Sequence, residues 1–180
     1  MEVKTFAGSP NFQYPALHLA DLRRQISAGA SVWWLRIGQP LEAWAQHFRV
    51  QRLPFDAAGI LHPYWEACGV WDKALFDGLW PDIRPTDRAA LARSARQLAR
   101  RMCVGDLVLA LSSRQAVAAL GLVQSEPKPF AEGGYSSVRD LHWLRVFPEA
   151  PVALPKPVSA GPAGRLRGSG LRVLQEIWEK

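Results

Sequence analysis

The sequence predicts an α+β fold, and three stretches of its 180 residues predict it. "VGDLVLAL" and "AVAALGLV" read as two apolar strands joined by the short connection "SSRQ", a hairpin. "TDRAALARSARQLARRM", just before them, carries Leu91, Ala95, Leu98 and Met102 at helical spacing, with Arg93, Arg96 and Arg100 on the opposite side.

Each element has its own signal. "LADLRRQISAG" reads as a helix with Leu19, Leu22 and Ile26 on one stripe and Gly29 as its stop. "SVWWLRI" reads as the first strand. "PLEAWAQHF" reads as a short helix with proline in its first turn and Leu41, Trp44 and Phe48 on one face. Residues 49–82 look irregular and behave as an insertion. Thr86 is the expected N-cap of the long helix. After the hairpin, the loop "QSEPKPFAEGGYSS" leads to a strand, "VRDLHWLRVF". Residues 1–155 are expected to form the domain. Residues 156–180 read as a Pro- and Gly-rich tail with a terminal helix, a linker to a missing effector.

The net charge is +6 and the excess is clustered. Residues 84–101 hold six arginines against Asp87 alone, and residues 156–172 hold four bases and no acid. Arginine forks onto phosphate oxygens, and such stripes attract polyanions, so nucleic acid is the expected partner. No apolar run is long enough to span a bilayer, and the N-terminus lacks a signal-peptide pattern. Two cysteines, Cys68 and Cys103, form no CxxC motif; they fit a reducing cytoplasm as half-buried fillers.

No motif marks a catalytic site, a metal site or a cofactor. His18, His47, His62 and His142 stand apart, with no HExxH, no deaminase pattern and no GxSxG. "GPAGRLRGSG" lacks the GK[ST] of a phosphate loop and reads as a connector. Enzymatic activity of this chain alone is not expected.

Aromatic residues are abundant: eight Trp, three Tyr and seven Phe. Trp44 and Trp143 suit the core. Trp65, Trp71 and Trp80 sit in the irregular segment, where aromatics near arginines make stacking platforms for unpaired bases. A flipped base needs two flat walls and a polar group at its edge. Trp33 or Trp34, Trp71 with Asp72, and Phe130 or Tyr135 supply those materials.

"ARQLARRMCVGDLVLALSSRQAVAALGLVQSEPKPF" resembles the PUA-like superfamily, nearest to EVE domains and the related YTH domains. The shared features are a helix ending in a GD turn, then two apolar strands of which the second ends "LGLV". "VRDLHWLRVFPEAPVALP" is similar to the family's next strand, and "SVWWLRIG" to its opening, so the resemblance spans roughly 31–155. It implies a strongly curved sheet, nearly a barrel, flanked by helices, and binding of nucleic acid that carries a modified base in an aromatic cage. It also implies a place in a modification-dependent restriction system beside a nuclease or a nucleotide-driven motor. "GVWDK" resembles the pocket tryptophan segment, which makes Trp71 the first wall. Phe130 and Tyr135 lie on the loop of the opposite wall, Asp72 reads an exocyclic amine or is a solvated loop acid, and Trp65 and Trp80 are alternatives for the cage.

On the first strand, Trp33, Leu35 and Ile37 form a wholly apolar set, the expected core face. The other tryptophan of the pair faces the pocket or the outer helices, and on this parity Trp34 is the exposed indole, with Arg36 beside it. The favoured expectation is a reader of modified DNA that flips its base and holds phosphates with Arg36, Arg93, Arg96, Arg100, Arg114 and Lys128. An RNA reader of the same fold, an enzyme acting on a nucleoside-like molecule and a protein-interaction module are the alternatives.

Overall fold

The computed structural model describes residues 19–37, 41–55, 74, 84–132, 135–147, 149–159, 161–166 and 170–178. The helices that position the site are α1 (Leu19–Ser27), the short α2 (Ala45–Arg49) after a 3-10 turn at Leu41–Trp44, α3 (Pro85–Arg96) and α4 (Gly170–Trp178). Helix α3 runs on into a π turn, Gln97–Arg101. The strands are β1 (Val32–Arg36), β2 (Arg52–Phe55), β3 (Leu107–Leu111), β4 (Ala116–Val123), β5 (Lys128–Pro129), β6 (Ser137–Val146), β7 (Val152–Ala153) and β8 (Ala163–Arg165). They form one mixed sheet in the order β2-β6-β4-β3-β1-β8, with β5 on β6 and β7 on β4. It curls into a half-barrel, and with its helices the fold is α+β. Register shifts at Ala110/Leu111 and Leu120/Gly121 are bulges of the kind that bend a sheet.

Strand β1 pairs in parallel with β3, Val32 opposite Leu107 through Arg36 opposite Leu111. Strands buried on both faces read as unbroken apolar runs, and β3, "LVLAL", is buried at every residue. One face carries Trp33, Leu35 and Ile37 and packs against Trp44 and Phe48 before and in α2, and Ala95, Leu98, Ala99 and Met102 of α3 and its π turn. The other face carries Val32 and Trp34 and packs against Leu22 of α1 and Val173, Leu174 and Ile177 of α4.

This two-sided core corrects the expectation for Trp34. The set Trp33, Leu35 and Ile37 does face a core, but Trp34 is only 3% exposed and faces a second one. Its neighbours across the sheet, Leu107, Leu109 and Leu120, are as apolar as those of the first face. The second core needs residues beyond 155. Strand β8 pairs antiparallel with β1, Trp34 opposite Gly164, and α4 covers Trp34's side of the sheet. The segment expected as a linker therefore completes the domain. Gly164 makes this contact possible: a Cβ there would lie 2.7 Å from Trp34 Cζ2. Gly121 plays the same part under Trp143, its cross-strand partner, whose Cε3 would sit 2.9 Å from an added Cβ.

Other elements follow local chemistry. Gly29, at φ 101°, ends α1 with the Ala30-to-Gln25 and Gly29-to-Ile26 bonds of a left-handed C-terminal cap. Helix α3 starts one residue before the expected cap. Pro85 fills its first position, where a missing N–H costs nothing, and Arg84 rather than Thr86 precedes it. Ala95, Leu98 and Met102 are buried as their spacing predicts, while Arg93, Arg96, Arg100 and Arg101 are exposed. Within the stretch read as irregular, residues 52–55 form β2 on β6. Gln51, at φ 55°, leads into it: its backbone oxygen accepts from Leu141 N at 2.8 Å and its side-chain oxygen from Trp143 N at 2.7 Å. Cys103 is exposed rather than half-buried, because it sits on the turn between α3 and β3. Cys68 lies outside the described residues.

Candidate functional site

The GD turn sets the entry to the sheet. Gly105 takes φ 90°, and Asp106 is buried beside it. The Asp106 carboxylate accepts three hydrogen bonds: Ser31 N at 2.8 Å, Cys103 N at 2.9 Å and the indole Nε1 of Trp33 at 2.8 Å. A buried carboxylate without partners would be costly, and this one ties the start of β1 to the end of the π turn. Asp106 and Trp33 thus build the scaffold rather than a binding surface.

At that end of the sheet β6 extends beyond β4, and its first residues are flanked by β2 and β5. Phe55 pairs with Ser137, and Lys128 with Val138. Tyr135, just before β6, packs on the first core. Its ring stands edge-on to Trp44 (centroids 6.1 Å, 75°) and to His47 (6.1 Å, 88°). His47 stands edge-on to Trp44 at 5.1 Å and 64°, so the three rings meet steeply inclined to one another. Phe48 joins them to Trp143 at 5.1 Å. Trp44, Phe48 and Trp143 are buried, which leaves His47 and Tyr135 as the half-exposed members. Within the described residues no hydrogen bond engages the His47 ring or the Tyr135 hydroxyl. Burial pulls the His47 pKa below its ordinary 6.5, with Glu132 opposing and Arg52 assisting, and burial pushes the Tyr135 hydroxyl up. At neutral pH both are uncharged: one ring with a donor and an acceptor, one hydroxyl that does both.

Phe130, half-buried, lies on the same loop, and its N–H donates to Ser136 O at 3.0 Å. Residues 56–73, which hold Trp65, Trp71 and Asp72, lie outside the described residues, as does Trp80.

The expected phosphate contacts do not all converge. Arg36 and Arg114 are at the β3–β4 turn, the opposite end of the sheet, roughly 30 Å away along the strands. Arg114 also holds the chain that follows β7, donating through Nε to Val158 O at 3.2 Å. Lys128 is at the Tyr135 end, but its ammonium pairs with Asp140 at 2.5 Å. Arg93, Arg96 and Arg100 lie along α3 and its π turn with Arg101, and no acid occurs between Asp87 and Asp106.

Besides His47, which the sequence shows only as an isolated histidine, the residue that sequence reasoning missed is Arg139. It is fully buried on β6, and its guanidinium donates to Leu98 O at 2.8 Å, Met102 O at 2.7 Å and Ser125 O at 2.8 Å, with a longer bond to Ala99 O. Burial lowers its pKa, and Glu126, at 3.9 Å, opposes the shift. Its arginine neighbours in the sequence, on surface positions, gave no sign that this one is internal. The alternation of β6 would have placed Arg139 on the face of Leu141 and Trp143. Among the described residues no group of three His, Cys, Asp or Glu could hold a metal ion, and no helix is long and apolar enough to cross a membrane.

Compared with known proteins, the chain matches no protein-family model, and no curated protein is significantly similar to it.

Proposed function

We propose that this chain is a PUA-like domain of the EVE and YTH kind that binds double-stranded DNA carrying a modified base. The base, flipped from the helix, enters beside His47 and Tyr135, and arginines of the π turn hold the backbone. One observation carries the reading: uncharged, half-exposed His47 and Tyr135 sit on a buried aromatic base at the same end of the sheet as the arginine-bearing π turn. Trp71 and Asp72, which the sequence assigns as wall and edge reader, lie outside the described residues, and Trp71 is tested by substitution. Flipping costs a few kcal/mol and stacking returns about 1–3 per base, so phosphate contacts supply the remainder. In a modification-dependent restriction system the partner is a nuclease or a nucleotide-driven motor.

Fluorescence anisotropy tests this with unmodified, 5-methylcytosine, 5-hydroxymethylcytosine and N6-methyladenine duplexes at two salt concentrations, plus a single-stranded RNA. The expected result is a preference for one modified duplex, lost in Tyr135→Ala and Trp71→Ala, with binding weaker at high salt. Equal binding to all four duplexes would overturn base recognition. Tighter binding of RNA would move the reading to RNA, and no binding at low salt would end it.

A further inference from the structure

The π turn and the loop after β4 are joined by one buried guanidinium. Arg139 reaches three carbonyls at the first, those of Leu98, Ala99 and Met102, and one of the second, Ser125. The Met102 N–H donates to Gln97 O five residues back at 3.0 Å, which is the π geometry. Such a turn releases carbonyls from the ordinary helical ladder, and a buried carbonyl needs a donor. Arg139 supplies it in a fixed planar fork that a lysine cannot reproduce. On the outer side of the same turn Arg100 and Arg101 are adjacent and exposed. On the loop, Lys128 and Phe130 follow Ser125 within five residues.

We propose that Arg100 and Arg101 form a binding site for backbone phosphates of nucleic acid, and that Arg139 is the positioning residue that fixes this site relative to the Phe130–Tyr135 loop. This rests on the nucleic-acid reading above and deepens it by assigning the phosphate site. Arg139 itself touches no ligand. It sets the spacing between the place where a phosphate is held and the place where a base is received.

The experiment measures affinity for an unmodified DNA duplex between about 50 and 200 mM salt and takes the slope of log affinity against log salt. The magnitude of that slope drops by about one for each phosphate that the protein no longer neutralises. The Arg100→Ala/Arg101→Ala double variant, changed only at exposed positions, is expected to lower it by about two. Arg139→Lys keeps the charge but not the fork. It is expected to lower the slope without itself contacting phosphate, and adding it to the double variant should lower the slope no further. An unchanged slope in the double variant would overturn the site. An unchanged slope in Arg139→Lys, or a decrease that adds in full to the double variant's, would overturn the positioning role.

Circular dichroism shows whether Arg139→Lys folds. If it does not, amide exchange of the wild-type chain takes its place. Added duplex should then protect residues 100–102 and 125–128 together, and exchange unchanged at 100–102 would overturn the proposal. Loss of modified-base preference in Tyr135→Ala is read separately, so base recognition and the phosphate site fail independently. Absence of wild-type binding at low salt would end both.

Discussion

At Asp106 one carboxylate settles what the paired tryptophans of β1 do. It accepts the Trp33 indole N–H inside the first core, while Trp34 lies against Gly164 in the second. A hydrogen bond to a charged group is worth about 1.5–3 kcal/mol, which fixes Trp33 to the GD turn more firmly than burial alone. The GD turn was legible in the sequence as a motif; its use as the acceptor for Trp33 was not, because the two residues are 73 positions apart. His47 likewise stood alone in the sequence, and only the fold brings it to Tyr135 and Trp44. Its lowered pKa has a consequence for stability. The unfolded chain binds the His47 proton more readily than the folded one, so the folded state loses stability as pH falls below about 6.5. Glu132 softens this and Arg52 sharpens it. The thermal midpoint of the wild-type chain should fall more between pH 7 and pH 5 than that of His47→Gln, measured by circular dichroism; equal falls would contradict the assignment.

The elements show where sequence patterns were sufficient. Apolar spacing located α1, α3 and the β3–β4 hairpin, and a glycine marked the end of α1. Strand β2 was missed because it is four residues long and contains Pro54, which marks an edge position rather than a central strand. Strand β8 was missed for a related reason. "AGR" has almost no strand propensity, and its glycine reads as a flexible connector. Its pairing with β1 is held by Trp34, which needs that glycine to approach the backbone. Gly164→Ala should therefore destabilise the chain by about 1–3 kcal/mol in urea unfolding, although alanine is ordinarily the better residue in regular structure. A neutral or stabilising result would mean that Trp34 can move aside.

For the whole molecule, the second face of β1 meets helices rather than solvent, so Trp34 is buried where parity alone made it the exposed indole. The unbroken apolar runs of β3 and β4 carried the contrary signal, since a strand with a solvated face alternates. Among the described residues the central strands β1, β3 and β4 are covered on both faces, which leaves the ends of this part of the sheet to meet a ligand. Arg36 and Arg114 mark one end; His47, Tyr135, Phe130, Lys128 and the Arg139-held turn mark the other. Under the proposed function, nucleic acid engages the second end. The most direct test is ultraviolet crosslinking of the chain to a bound DNA duplex, with the adducts mapped by mass spectrometry. Adducts at Phe130 or Tyr135 and on peptides of the π turn are the predicted result. Adducts confined to the peptides around Arg36 and Arg114 would contradict the account.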